Sequence, residues 1–536
     1  LTSRFRLFPV SLIVTGLTLA AGCGHKDGIA APPPDNILRV PLTTDPTTFD
    51  PAKVEDGTTI DMLQQAFEGL VQWTPQNTLA PALAEHWDVS ADGRTYTFHL
   101  RPGVKFQDGN PVTAQDVYFS MRRALDPALK STVALSYLGD IVGAKELNAG
   151  KTAQLPGVKV VDPQTVAITI VAPKVYWIYT LTYPTGYVVS KAEAKDGVEL
   201  TDTDDLKGAG TGLFQITGYQ RGAKVTLAAN PGYWGGAPKL AGQSRPIIKD
   251  GGTRHDEYVA GDLDIVDEAK GDLDADRKDP NLKDQIKTWP RAQTFYLGMN
   301  EKTVKPFADL RVRQALAYAT DKERIRSVVM LGTVDVAQDI LPEGIPGFDP
   351  QFKSYPYDPA KAKALLAAAG YPGGKGFPII PISFRESYPD LDKTVDQIRD
   401  MWQQNLGITV QSKRTEWVAL LKQEHDNSLD CYHIRWAADY LDQQDYYSIL
   451  LHTKGGENHT LYSNPKFDAL CDRADVERDP ETRRKLYRQA ARIAADDVPL
   501  IPLYYQKDIE LVKPYVKNLD DGLMGHLPYK NLTLAK

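Results

Sequence analysis

The chain switches repeatedly between a two-residue and a 3.6-residue hydrophobic period, with turn residues at each switch. This alternation confines it to architectures that mix sheets with helices. Tyr96, Phe98 and Leu100 alternate with Thr95, Thr97 and His99, the pattern of a strand with one buried face. Arg101-Pro102-Gly103 turns the chain, and Val104 and Phe106 form a second strand leading into the hairpin signal Asp108-Gly109. Thr113, with Asp116 three residues later, predicts a helix that Asp126-Pro127 ends. Further on, Asp358 caps a helix that has Pro359 first, Ala362, Leu365, Leu366 and Ala369 on one face, and Gly370 closing it. Val312, Ala315, Leu316 and Ala319 form the buried face of another. Strands recur around 166–171, 294–300 and 408–411, so the expected class is α/β.

The N-terminal 22 residues read as an export signal. Arg4 and Arg6 precede an apolar run from Leu7 to Ala20, too short to span a bilayer stably. It stops at Leu19-Ala20-Ala21-Gly22-Cys23, which resembles a bacterial lipoprotein cleavage site, with Cys23 as the lipidated residue. Such sites prefer a leucine three places before the cysteine, where this chain has Ala20. An ordinary secretory signal is the alternative. Residues 23–36, with Ala-Pro-Pro-Pro-Asp, cannot build a core and form a tether.

Roughly 500 residues after the tether exceed what one hydrophobic core serves, so two or three lobes are expected. The net charge of −7 and the lack of a long basic run argue against a nucleic-acid partner. The 26 Tyr and 8 Trp offer broad contact area with few rotors, which suits a binding cleft as well as a core. Beyond Cys23 only Cys431 and Cys471 remain, and an oxidising compartment leaves a disulfide between them open.

Catalytic and metal signatures are weak. The chain contains no Gly-x-Ser-x-Gly, His-Glu-x-x-His or Cys-x-x-Cys. His452 and His459 could share a metal in principle, but exposed loop histidines are far commoner than metal sites. Asp272, Asp274 and Asp276 have calcium-loop spacing, yet Arg277 stands where the loop needs glycine and Lys283 where it needs glutamate. Gly208, Gly210 and Gly212 lack the remainder of a nucleotide loop and read as a turn. No cofactor is expected, and the chain reads as a non-enzyme.

Several segments taken in order resemble the extracellular solute-binding proteins of family 5, the oligopeptide and dipeptide receptors of ABC importers. They are Thr48-Phe49-Asp50-Pro51-Ala52, Phe67-Glu68-Gly69-Leu70, Leu83-Ala84-Glu85-His86-Trp87, Phe98-His99-Leu100-Arg101 and Phe106-Gln107-Asp108-Gly109. Gly210-Thr211-Gly212-Leu213-Phe214, Asn230-Pro231-Gly232-Tyr233-Trp234 and Ala260-Gly261-Asp262-Leu263-Asp264 continue the series. The most specific is Pro306-Phe307-Ala308-Asp309-Leu310-Arg311-Val312-Arg313-Gln314-Ala315. Ile501-Pro502-Leu503-Tyr504-Tyr505 and Leu511-Val512-Lys513-Pro514 are similar to the oligopeptide-binding members in particular.

The resemblance implies a periplasmic-binding-protein-like fold of type II (cluster C), two lobes around a ligand cleft with an extra inserted subdomain. Its boundaries would be 37–67 for the first part of lobe I, 68–190 for the insertion, 191–292 for lobe I again, 293–507 for lobe II, and 508–536 for the C-terminal return. It implies a monomer tethered to the outer side of the cytoplasmic membrane, handing peptide to a permease and ATPase. Same-fold receptors for nickel chelates, opines or saccharides are the nearest alternative, and a secreted hydrolase is a more distant one.

Arg435-Trp436-Ala437-Ala438-Asp439-Tyr440 resembles the family stretch in which an aspartate pairs with the ammonium of a bound peptide, which would make Asp439 the anchor. Trp417 precedes Trp436 by the interval of the tryptophans that line the family's side-chain pockets, and Ala437 and Tyr440 flank the anchor. Glu55 matches a ligand-contacting place in the first lobe. The resemblance departs at Glu424 and His433, where oligopeptide receptors carry basic residues for the peptide's carboxylate. An acid and a partly charged histidine there put tripeptide-type recognition in doubt. Arg435 replaces a small residue, either filling part of the cleft or supplying a displaced anion contact.

Overall fold

The computed structural model describes residues 35–201, 206, 208–268, 270–386 and 389–535. The export signal, Cys23 and most of the tether lie outside the described residues. Three larger sheets organise the rest. In the first, Ile37–Arg39 runs parallel to Gly242–Pro246, followed by Lys224–Ala229 and Phe214–Gln220. The second is antiparallel throughout, in the order Ala84–Val89, Thr95–Leu100, Thr165–Thr169, Val158–Asp162. The third has the order Ile265–Asp267, Leu500–Val512, Ile286–Met299, Cys431–Ala437, Ile380–Arg385, Val410–Thr415, with Asp335–Val336 also on Leu500–Val512. Its parallel pair Ile380–Arg385 and Val410–Thr415 is joined by the helix Pro389–Leu406, the crossover that parallel strands require.

Two strands of the third sheet are long, Ile286–Met299 and Leu500–Val512. One end of the pair, through Leu297, Met299, Ile501 and Leu503, belongs to the core that holds Phe307, Val312, Leu316 and Trp402. At the other end Leu511 packs with Tyr258 and Val266, and Val512 joins the core of Leu38, Phe67 and Phe214. Register breaks between Pro290 and Thr294, where proline has no N–H for the ladder. Beside the break, Arg291 donates to Asp508 Oδ2 at 2.6 Å and Asp521 Oδ2 at 2.8 Å. His526 lies 2.9 Å from Glu510 Oε2 and 2.8 Å from Asp521 Oδ1.

Sequence motifs become packing devices. Glu68 accepts from Thr211 Oγ1 at 2.8 Å, Tyr233 Oη at 2.7 Å and Trp234 Nε1 at 3.1 Å, so three separated motifs converge on one enclosed carboxylate. Asp50, wholly buried, takes two guanidinium contacts from Arg123 and the N–H groups of Ala52 and Leu200, tying the first core to the inserted sheet's helix Ala114–Leu125. Gly210 and Gly212 pass so close to Ala66 that a Cβ on Gly210 would stand 2.1 Å from the Ala66 carbonyl oxygen, so close approach explains them better than a turn. Arg313 reaches the carbonyls of Phe307 and Asp497, which accounts for the basic residue inside the helix Leu310–Tyr318.

The expected helices form. Thr113 N donates to Asp116 Oδ2 at 2.9 Å, and Asp358 accepts from Lys361 N at 3.0 Å at the start of Pro359–Ala368. The second strand expected at Val104 and Phe106 does not form: that stretch makes only the isolated bridge Lys105↔Pro111 before turning at Gly109. Both residues are buried, so the alternation reflects two anchors under a loop. Cys431 and Cys471 are free buried thiols in separate cores, which closes the question of a disulfide. Asp272 to Asp276 become the helix Leu273–Asp276, with Asp276 Oδ2 2.9 Å from His255 Nε2. His452 faces Asp472 and Asp468, whereas His459 faces Glu457, so the two do not converge. Among the described residues no helix is long and apolar enough to cross a membrane.

Candidate functional site

The segment that carries the expected anchor is set by the third sheet. Cys431–Ala437 pairs antiparallel with Ile286–Met299, Trp436 opposite Thr294 and Ala437 opposite Gln293. The strand's period sends His433 and Arg435 to one face and Ile434 and Trp436 to the other. The chain then leaves the sheet through a turn fixed by Arg483, which donates to both oxygens of Asp442 at 2.6 and 2.7 Å. The helix Gln444–Leu451 follows, and Asp445 in its first turn looks back at the turn. Asp445 Oδ2 accepts from Trp436 Nε1 at 3.1 Å and Asp439 N at 3.0 Å, and its Oδ1 is buried with no hydrogen-bond partner among the described residues.

Asp439 faces the inserted subdomain. Its Oδ1 accepts from Tyr137 Oη at 3.1 Å. Desolvation pushes the Asp439 carboxyl up to about 6, with the Tyr137 bond opposing the shift and Glu457 adding to it. Burial and then the Asp439 charge push Asp445 well above the carboxylate range. Tyr137 stacks on Tyr183 with centroids 3.7 Å apart, and Tyr183 Oη donates to the Val54 carbonyl at 3.1 Å. Glu55, next in the chain, is exposed and accepts from the Thr132 hydroxyl. Tyr440 is buried, donates to Gln444 and stacks on Tyr176 at 5.8 Å. Thus Asp439 and Tyr440 come from one body of the molecule, and Tyr137, Tyr176, Tyr183 and Glu55 from the one that faces it.

A cavity of about 440 Å³ lies beside the segment, lined among others by Trp417, His433, Ile434, Arg435, Arg385 and Glu268. Trp417 opens the helix Trp417–His425, whose first N–H groups are capped by Glu416, and the Arg385 guanidinium lies 4.5 Å from its ring centroid. Arg435 Nη1 donates to Gln293 Oε1 at 2.6 Å. Trp436 is not in this lining and donates its Nε1 to Asp445, although Trp417, Ile434 and Trp436 all pack against the same core.

Two departures read from the sequence are corrected. His433 is 1% exposed between Phe295 and Tyr504, and burial pushes its imidazole down to about 3, so it is neutral where partial charge was expected. Glu424 does not meet the cavity: it is buried near Tyr296, Tyr432 and His459, and desolvation pushes it up to about 7. It is therefore not placed to repel a ligand carboxylate. Sequence reasoning missed Tyr137, Tyr176 and Asp445. Asp445 had a signal, since a half-buried Trp436 N–H needs an acceptor and Asp445 opens the next helix. Tyr137 had none, because it comes from 302 residues away.

A chain of this architecture, with facing residues on bodies joined by two long strands and a cavity between, is built as a protein that binds a solute. It belongs to the bacterial extracellular solute-binding proteins, family 5, whose middle-region profile matches residues 78–458. It is 31% identical over 528 residues to the probable deoxycholate-binding periplasmic protein YgiS of Escherichia coli K12, covering 96% of each chain. It is likewise 31% identical over 509 residues to heme-binding protein A of Haemophilus influenzae, covering 90% of this chain and 89% of that one. Among solved structures, the unliganded open form of the periplasmic murein tripeptide binding protein MppA superposes with a TM-score of 0.80 at 27% identity, covering 94% of this chain and 98% of that one. The fold is thus the two-lobed type II fold of the family, as the motifs implied.

Proposed function

We propose that this protein captures peptides through their free amino terminus on the outer side of the cytoplasmic membrane and delivers them to the permease and ATPase of an ABC importer. One observation carries the reading: Asp439 and Asp445 are enclosed side by side, and no lysine or arginine pairs with either among the described residues. An enclosed carboxylate without a cation is stabilised by one that a ligand brings, and a primary ammonium makes charge-assisted hydrogen bonds to it. Asp439 is the anchor, with Trp436, Ala437 and Tyr440 shaping its surroundings and Glu55 on the facing lobe. Trp417, His433 and Arg435 line the cavity that receives side chains.

Support for the domain division 37–67, 68–190, 191–292, 293–507 and 508–536 comes from the hydrophobic cores. One runs almost wholly from Leu70 to Val188, another combines Leu38 to Phe67, Val189 to Ile265 and Val512 to Leu532, and two more lie within 292–523. We further propose a monomer held by acylated Cys23, because several acyl chains give durable attachment where one does not. Palmitate labelling should vanish in Cys23→Ser.

A second reading, an amphipathic anion, is favoured by the names of the two relatives cited above, while the cavity wall itself mixes Arg385, Arg435 and Lys507 with Asp267, Glu268, Asp508 and Glu510. Calorimetry separates the two. Short peptides with free amino termini should bind, and their N-acetylated forms should bind at least tenfold more weakly. Binding of deoxycholate or heme with no response to peptides overturns the peptide reading.

A further inference from the structure

The outward face of the hairpin formed by Ala84–Val89 and Thr95–Leu100 carries a group that core packing does not require. Ala84, Tyr96, Phe98 and Leu100 are buried on the inner face, with Trp87 packed on Phe98. With a strict period of two, His86 would point inward with Ala84. Instead the ladder slips between Ala84 and His86, so that Ala84 faces Leu100 while His86 faces His99. This bulge re-aims His86 to the solvent side, beside His99 and Asp88.

The resulting geometry is that of a ligand set. The two imidazoles stack with centroids 4.3 Å apart and planes 11° apart. His99 Nε2 lies 3.2 Å from Asp88 Oδ2, and one ligand atom from each of His86, Asp88 and His99 lies within 4.8 Å of the others. Glu85 Oε1 is 3.7 Å from His86 Nδ1. We propose that His86, Asp88 and His99 form a surface site for a divalent late first-row metal ion, zinc foremost, built from residues outside the cleft described above.

The chemistry selects the ion class. Two imidazoles and one carboxylate suit zinc, nickel or copper, whereas magnesium and calcium prefer all-oxygen sets. Tetrahedral zinc with bonds of about 2.0–2.2 Å places neighbouring ligand atoms about 3.3–3.6 Å apart. The His99–Asp88 separation of 3.2 Å is just short of this spacing. The His86 side chain is 56% exposed and closes on the ion by rotation alone. Glu85, 3.7 Å from His86 Nδ1, adds negative charge beside the ring, leaving Nε2 for the ion. Water fills the remaining position.

The test uses tag-free protein, zinc sulfate titrated in competition with a chromogenic chelator, and metal content measured by mass spectrometry after gel filtration. One zinc per chain is expected. His86→Ala and His99→Ala should each weaken binding by about tenfold or more, and Asp88→Asn should weaken it too. Metal-free His86→Ala and Asp88→Asn should melt with the wild type because those two side chains are exposed, and His452→Ala should bind zinc normally. Absence of zinc uptake by the wild type, or equal stoichiometry and affinity in the His86→Ala/His99→Ala double variant, overturns the proposal.

Discussion

Replacing Asp439 by Asn keeps the side chain's shape and its place against Tyr137 while removing the charge. In the wild type the carboxyl, pushed up to about 6 by desolvation, is mostly ionised near neutral pH and, among the described residues, has a phenol and no cation as partner. A ligand ammonium would supply the missing cation in an enclosed site, and leaving that ammonium unpaired costs roughly 2–5 kcal/mol. At tenfold per about 1.4 kcal/mol, peptide affinity should fall by about thirtyfold to several thousandfold. N-acetylation of the ligand removes the same interaction from the other side, so its loss on the wild type should be comparable and the two losses should not add. Calorimetry on both proteins with both ligands completes the cycle. The wild-type titration carries a further signature: below about pH 6 the free carboxyl is protonated, so affinity should drop by about tenfold per pH unit, while Asp439→Asn lacks this dependence. Free-peptide affinity unchanged in Asp439→Asn, or losses that simply add, would refute the anchor.

Three further outcomes follow from other contacts. Asp50→Asn should destabilise the protein by about 3–5 kcal/mol, since it leaves Arg123, 1% exposed, without its counter-charge; chemical denaturation measures the change. Burial opposes the His526 charge, but Glu510 and Asp521 outweigh it and hold the imidazole up to about 10. A folded value above the ordinary one of about 6.5 means that the contribution is complete below about pH 6.5 and is lost as pH rises through about 10. His526→Gln should therefore melt earlier than wild type at neutral pH, with the gap narrowing toward pH 10. Finally, closure of the two lobes about the long strands that join them should compact the molecule and raise its Tm when peptide binds. Superimposable scattering profiles with and without ligand would exclude closure.

Local rules were legible wherever the deciding neighbours lie close in sequence. The alternation in Thr95–Leu100, the capping pair Thr113 and Asp116, and the proline-started helix Pro359–Ala368 each depend on residues within a turn of one another, and each formed as read. The family was legible because its motifs hold the packing together: Glu68, Thr211, Tyr233 and Trp234 converge on a single set of hydrogen bonds. What the sequence could not decide was which side of an element a side chain meets and what lies across from it. His433 was expected to be partly charged, but enclosure between Phe295 and Tyr504 makes it neutral. Trp417 and Trp436 share an interval along the chain, yet one opens a helix beside the cavity and the other stands near the end of a strand and donates to Asp445, a difference of setting that the interval does not carry. The Ala84–His86 slip reverses the face of His86 against its own alternation. The residues that give Asp439 its character were likewise beyond local reading. Desolvation and the Tyr137 hydroxyl arrive through the meeting of two lobes, and burial is a property of what surrounds a group in space, which chain order specifies only after folding.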